Sequence, residues 1–409
     1  MHTSLPAALL TLAATSTTLV LALGSHSHSH SRAESKDGSR LDPWNEIYAN
    51  TPDLSFSGVT TFAHLPTAKC LDEPEKAYDI ALVGIPFDSA VSYRPGARFG
   101  PYALRAGSRR QRPERGYTSR LEINPYTSGL DVLDCGDVPV TPFDPATAIK
   151  QVNAAYRSLL HHPVKSEEKM KSLNMQKGLD GEYHPRIVAL GGDHTIVLPI
   201  LDAVHEVYGP VSVIHFDAHI DTWNPNRYLG SVSVQADLNH GTFFWHAYEH
   251  GFIKPNSSIH AGIRTRFSGP EDLDDDITAG FDLIHTFDID DHGVDWISDK
   301  IKARIGNGPV VISLDVDVMD PSYVPATGTP ESGGWTSREL RRILHSLVGL
   351  NIVAFDIVEL APAYDTNGEI SAIAAADMVY DFLSILALGV DGQEKKFEQV
   401  EEGRSVDEL

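Results

Sequence analysis

The chain has 409 residues, a formal net charge of −23, 42% apolar residues and two cysteines. These proportions exclude wholesale disorder, collagen and coiled coil, and two cysteines cannot build a disulfide-dense scaffold or a cysteine-based zinc site. The acidic balance argues against nucleic acid and anionic membranes, whose recognition needs clustered Lys and Arg, and it suits a cationic partner.

From Leu5 to Leu23 the chain is largely apolar, with Ala22 and Gly24 as small residues before Ser25. This reads as a secretory signal over residues 1–24 and predicts a secretory-pathway or extracellular location. Contact with a membrane is expected only if that segment stays uncleaved. Ser25 to Arg40 is Ser, His and charge without periodicity, a solvated tail in which His26, His28 and His30 could bind metal weakly. A secretory route leaves Cys70 and Cys135 open to either a disulfide or two buried thiols. It also makes Asn256-Ser257-Ser258 a glycosylation sequon. Residues 25–75 read as an N-terminal extension, 76–390 as one large domain, and 391–409 as an acidic tail. That tail ends in Val406-Asp407-Glu408-Leu409, close to an ER-retention signal but without its usual first residue.

Inside the large domain, short β-branched runs alternate with helical patterns. The runs are Ile80–Gly84, Arg186–Leu190, Val211–Phe216, Ser258–Gly262, Leu283–Phe287, Val310–Leu314 and Ile352–Val358. They are almost continuously apolar, as parallel strands covered on both faces are. Helices are predicted over Pro145–His161, Thr195–Tyr208, Ser337–Val348 and Glu369–Leu388, with Thr336 or Ser337 as an N-cap and Glu339 in the first turn. The alternation predicts an α/β fold with a mostly parallel sheet between helical layers. The polar stretch Lys165–Gly181 reads as a surface insertion.

Three apolar runs stop at unusual chemistry: Gly191-Gly192-Asp193-His194, Asp217-Ala218-His219-Ile220-Asp221, and Asp315-Val316-Asp317 followed by Asp320-Pro321. Ligands of open parallel sheets bind outside the carboxyl ends of the strands, so the three clusters would meet in one crevice. In extended chain, residues two apart share a face. Asp217, His219 and Asp221 can therefore project together, as can Asp315 and Asp317, with His194 joining from a third strand end. One such cluster alone reads as a turn or a cap; three at the same sheet edge do not. Four gathered carboxylates cannot all stay ionised without compensation, and two divalent cations would cancel them. Oxygen and nitrogen donors without a thiolate suit Mn²⁺, and Zn²⁺ or Fe²⁺ less specifically. Six ligands for two ions imply bridging carboxylates, at the separation of about 3.5–4 Å typical of two-metal sites.

The ordered set resembles the ureohydrolase family of arginase, agmatinase and guanidinobutyrase. The likeness extends to Gly84-Ile85-Pro86-Phe87-Asp88, to Arg94-Pro95-Gly96-Ala97-Arg98-Phe99-Gly100-Pro101, to Ala326-Thr327-Gly328-Thr329-Pro330 and to Asp356-Ile357-Val358-Glu359-Leu360-Ala361-Pro362. It runs from about Asp79 to Leu388. The resemblance implies a three-layer α/β/α sandwich around a mostly parallel eight-stranded sheet, and assembly as a homo-oligomer, a trimer or hexamer. It also implies two Mn²⁺ per chain. One would be held by His194, Asp217, Asp221 and Asp315. The other would be held by Asp217, His219, Asp315 and Asp317. Thr195 departs from the family's common Ser but keeps a hydroxyl.

A guanidinium is a poor electrophile and neutral water a poor nucleophile. Bound divalent ions acidify water, and a carboxylate can hold the planar cation in a bidentate fork. Glu359 matches the family's substrate-pairing Glu. His240, in Asn239-His240-Gly241-Thr242, matches its proton-relay histidine, and imidazole titrates near neutrality. The expected products are urea and a primary amine. Arginases grip the substrate carboxylate through a Thr-Ser-Gly-Asn loop that Thr222 to Asn239 lacks, so arginine is disfavoured and agmatine, a small cationic guanidino compound, is expected. The alternative substrate, 4-guanidinobutyrate, needs a cation, and Arg227 is available in that loop. Two further readings are an acetyl-amide hydrolase of related fold, which the full ligand set disfavours, and a non-catalytic metal-binding or assembly protein.

Overall fold

A computed structural model describes residues 43–48, 51 and 53–391. The readings placed on the signal, the histidine-bearing tail and the C-terminal tail past residue 391 lie outside the described residues. Pro43–Tyr48 is a short helix in which the Trp44 and Tyr48 rings sit 5.2 Å apart.

From residue 53 onward the chain builds one eight-stranded sheet. Its strands are β1 (Ile80–Ile85), β2 (Val132–Asp137), β3 (Arg186–Gly191), β4 (Ser212–Phe216), β5 (Ser258–Ile263), β6 (Phe281–His285), β7 (Val310–Asp315) and β8 (Ile352–Val358). They lie in the order β2-β1-β3-β8-β7-β4-β5-β6, and every neighbouring pair is parallel. All residues of β1, β3, β4, β5, β7 and β8 are buried, while the edge strands β2 and β6 expose some of theirs. That is why the inner strands read as unbroken apolar runs.

Alternate side chains serve opposite faces. Ile80, Leu82, Ile312 and Leu314 pack with the helices Ser337–Ser346 and Ile370–Leu388. Ala81, Val83 and Val311 pack with Pro145–Leu160 and Val197–Tyr208. The result is the three-layer α/β/α sandwich. Two of these helices begin on the caps their sequences offer. Asp144 accepts from Thr147 N–H at 3.0 Å, and Thr336 and Glu339 form a reciprocal capping box, at 3.1 and 2.8 Å. Ile370–Leu388 is apolar and long enough to cross a membrane, but it is a mostly buried core helix.

Several elements differ from the sequence reading. β2 was not expected, because Asp134, Gly136 and Asp137 interrupt its apolar pattern. Arg105 makes that pattern tolerable: its guanidinium donates to both Asp134 oxygens at 2.9 Å and to Asp137 at 2.6 Å. β6 lies two residues earlier than the apolar run suggested, and the helix Thr195–Tyr208 begins at Val197 after a tight turn over His194–Ile196. The helices Gly100–Gly107, Pro270–Ala279 and Asp288–Ile305 were also unforeseen. The Lys165–Gly181 stretch is more than a surface insertion, since it carries the helix Glu167–Ser172 and buries Met170 and Met175 in the core.

Cys70 and Cys135 are joined by a disulfide with 5.2 Å between their Cα atoms, which ties the segment before β1 to β2 across 65 residues. Closing a loop of that length restrains the unfolded chain by about 4 kcal/mol. Thiol labelling of the denatured, unreduced protein should find neither cysteine and find both after reduction. The Cys70→Ser/Cys135→Ser variant should lose about that much stability in denaturant titration.

Candidate metal centre and active site

The four strands that carry the motifs, β3, β8, β7 and β4, are the central neighbours of the sheet. Their carboxyl ends therefore open onto one crevice, the place where α/β sheets bind ligands. Gly192 lets the chain turn there: a Cβ at this position would fall on the carbonyl oxygens of Phe87 and Ile85. The turn brings His194 over the ends of β4 and β7.

The His194 ring is fully buried, and its Nδ1 lies 3.1 Å from Asp217 Oδ2, 3.0 Å from Asp221 Oδ2 and 3.4 Å from Asp315 Oδ2. A second focus adjoins the first. His219 Nδ1 lies 3.2 Å from Asp217 Oδ1 and 3.0 Å from Asp317 Oδ2. Asp217 thus faces both foci with different oxygens. His194 Nδ1 and Asp217 Oδ2 are buried without a hydrogen-bond partner. Orphaned donors converging on one point are what a cation satisfies, and the set of imidazole and carboxylate atoms fits a hard or borderline divalent ion.

Glu359, at the end of β8, closes the crevice from the side. It is 1% exposed; Oε1 accepts from His194 N–H at 2.9 Å and lies 3.1 Å from His240 Nδ1, while Oε2 has no partner. Glu359 and Asp221 both hold left-handed backbone, at φ of 62° and 54°. Such strain persists only where the surroundings impose it, and it gathers at functional sites. A narrow cavity of about 70 Å³ reaches Asp221, His240 and Asp315, lined also by Ser92, His219, Trp223, Tyr228 and Thr329. A wider one of about 440 Å³ shares Ser92 and Tyr228 with it.

The arginase family model matches residues 78–384. The chain belongs to the arginase family. Among relatives of this ureohydrolase, "Putative agmatinase 1" of Schizosaccharomyces pombe is 49% identical over 335 residues, covering 82% of this chain and 84% of the relative. The agmatinase of Chromobacterium violaceum is 34% identical, covering 83% and 92%. The solved structure of proclavaminate amidinohydrolase from Streptomyces clavuligerus superposes with a TM-score of 0.69 at 31% identity, covering 82% and 99%.

All eight residues singled out from the ureohydrolase sequence (His194, Asp217, His219, Asp221, Asp315, Asp317, His240 and Glu359) lie in or beside this crevice. The sequence reading missed the layer behind them. His215 Nε2 lies 2.9 Å from Asp217 Oδ2, its Nδ1 lies 2.7 Å from His260 Nδ1, and His260 Nε2 lies 2.8 Å from Asp276. Thr222 donates to the same Asp276 oxygen at 2.7 Å. The signal was present: His215 stands two residues before Asp217 and so shares its face. His194 Nε2 likewise meets Ser313 Oγ at 2.8 Å, and Ser313 donates to Asp356 at 2.7 Å. Such outer contacts fix the orientation of a metal-binding imidazole. Arg227, the cation considered for a substrate carboxylate, is instead paired with Asp275 and donates to the Glu271 carbonyl at 3.1 Å.

Without cations, protons must settle the charge of this cluster. Burial, then the charges of Asp317 and Asp217, push the Asp315 carboxyl well above its ordinary value. Burial and Asp217 raise Asp317 to about 6, and burial with Glu359 raises Asp193 to about 7. Asp217 is also buried, but the imidazoles of His215, His194 and His219 close around it outweigh that and hold it well below the carboxylate range. Burial raises Asp356 to about 6, and burial, with the charges of His194 and His260, lowers His215 to about 3 against the pull of Asp217. A carboxyl whose folded pKa is raised binds more protons folded than unfolded, so its contribution to stability is present at low pH and lost as pH rises through the folded value. The raised carboxyls outnumber the opposing His215. The metal-free protein is therefore expected to lose stability between about pH 5 and 7, read as a falling Tm, and a divalent ion should restore it. A rising Tm over that range in chelated protein would contradict this account of the cluster.

Proposed function

We propose that this ureohydrolase is a dinuclear manganese agmatinase, hydrolysing agmatine to urea and a primary diamine. The observation that carries the substrate is the absence of cationic side chains. Among the described residues, no Lys or Arg lines either cavity, and Arg227 is committed to Asp275. A guanidino substrate with a terminal carboxylate, such as arginine or 4-guanidinobutyrate, would meet no counter-charge there. One with a terminal ammonium needs none, and the acidic chain would draw it in. The agmatinase relatives support the same reading.

One ion would be held by His194, Asp217, Asp221 and Asp315, and the other by Asp217, His219, Asp315 and Asp317. When bound, the pair supplies charge compensation and acidifies water. The rest is the work of the chain. The unpartnered oxygen of Glu359 leaves its carboxylate able to grip the guanidinium in a planar fork. His240 would deliver the proton that the departing amine needs as the carbon–nitrogen bond breaks. Burial pulls its imidazole down, but the hydrogen bond and charge of Glu359, with Asp221 and Asp193, leave it above the ordinary histidine value. It is thus poised to carry that proton near neutrality.

Urea release from agmatine, 4-guanidinobutyrate and arginine, measured in parallel after manganese loading, tests the reading. Agmatine should exceed the other two by at least about a hundredfold in kcat/KM, as expected when a charged tail lacks its partner; preference for a carboxylate-bearing substrate would overturn it. Glu359→Gln should keep the manganese content and lose about a hundredfold in kcat/KM, measured by metal analysis beside steady-state kinetics.

A further inference from the structure

The mechanism above gives His240 a proton to deliver, and the structure holds a feature on its far side that the mechanism does not use. Ser92 N–H donates to His240 Nε2 at 2.9 Å, and Ser92 Oγ lies 2.7 Å from the same nitrogen. A backbone N–H can only donate, so Nε2 must offer its lone pair in the resting enzyme. The ring proton then sits on Nδ1 and points at Glu359 Oε1, 3.1 Å away. One contact sets the tautomer and aims the ring.

The hydroxyl has a different capacity. When Nε2 gains a proton, the N–H of Ser92 becomes a poor neighbour, but its hydroxyl can turn and accept. The other charged or titratable groups acting on the ring are Glu359, Asp221 and Asp193, so on the Nε2 side Ser92 Oγ is the acceptor at hand. Ser92 belongs to an exposed stretch while His240 is 8% exposed, and the Tyr228 hydroxyl shares the Ser92 side chain within the cavity that both line, so the Ser92 hydroxyl joins the buried imidazole to the cavity.

The loop carrying Ser92 is fastened rather than loose. Ala90 N–H donates to Asp193 Oδ2 at 3.0 Å, and His240 N–H donates to the Ala90 carbonyl at 3.2 Å. Asp88 accepts from Gly96 N–H at 2.8 Å and pairs with Arg98. The imidazole is therefore clamped to the same short segment by both its backbone and its ring.

We propose that Ser92 is a positioning residue for the proton relay: its N–H sets the His240 tautomer, and its hydroxyl is the two-way partner through which His240 is recharged from solvent. The proposal rests on the ureohydrolase reading and deepens it. Ser92→Ala and Ser92→Thr should be compared with wild type on agmatine, with manganese content and Tm measured for each. Ser92→Ala should lower kcat roughly ten- to hundredfold, as loss of a hydrogen bond to a charged partner does. KM should stay within about twofold, metal content and Tm should be unchanged, and Ser92→Thr should restore most of the rate. An unchanged kcat in Ser92→Ala, or a loss that Ser92→Thr does not repair, would overturn it. If wild type itself releases no urea from agmatine, the substrate reading fails instead. The Ser92 contact is then judged without turnover, from ¹⁵N shifts of histidine-labelled protein with His240 identified by its absence in His240→Ala. The Nε2 signal should report an unprotonated nitrogen in wild type and move in Ser92→Ala; a protonated Nε2 or an unmoved signal would remove the proposal.

Discussion

Repulsion among buried carboxylates governs this molecule. Asp217, Asp221, Asp315 and Asp317 stand at the ends of neighbouring strands with two imidazoles between them, and all four are 5% exposed or less. In so dry a setting like charges cannot coexist unpaired. Either protons or metal ions must enter, and the converging imidazole and carboxylate atoms are compatible with metal ions. Asp217 presents separate oxygens to two histidines, while His215, His260 and Asp276 brace it from behind.

The sheet explains how these charges come to be gathered. Parallel strands deliver all their carboxyl ends to one edge, and the motif-bearing strands are contiguous at the centre, where the helical layers exclude water. The loops beyond the sheet edge are then held by backbone contacts. Arg264, at the end of β5, donates to the carbonyls of Asp317, Met319 and Glu331. A single guanidinium thereby joins the segment after β7 to the one that follows it.

Much of this was legible in the sequence because burial leaves a direct trace. The inner strands had to be continuously apolar, and the site had to interrupt them with His and Asp at period two. The edge elements were less legible. β2 carries Asp134 and Asp137 because Arg105, from a distant helix, receives them, and no local pattern announces a partner so far away. The helix Asp288–Ile305 opens with Asp288, Asp290 and Asp291 and is kinked at Gly293, φ 83°, which hid its periodicity. Met170 and Met175 sit in a stretch too polar to suggest core. Within the site, the period-two spacing could place His215 beside Asp217, but nothing local joins His215 to His260 or Ser92 to His240. Only tertiary structure pairs them.

The left-handed backbone at Asp221 and Glu359 has a consequence for how such an enzyme can be hardened. Glycine would relieve this kind of local strain, commonly on the order of 1–3 kcal/mol per residue, and a search for thermal resilience would drift toward it. At these two positions relaxation and activity pull apart, because glycine would discard a carboxylate that stands in the crevice beside His194 or His240. Any engineered gain in robustness has to come from the distant helices and edges, leaving the crevice as the least tolerant part of the chain to improve.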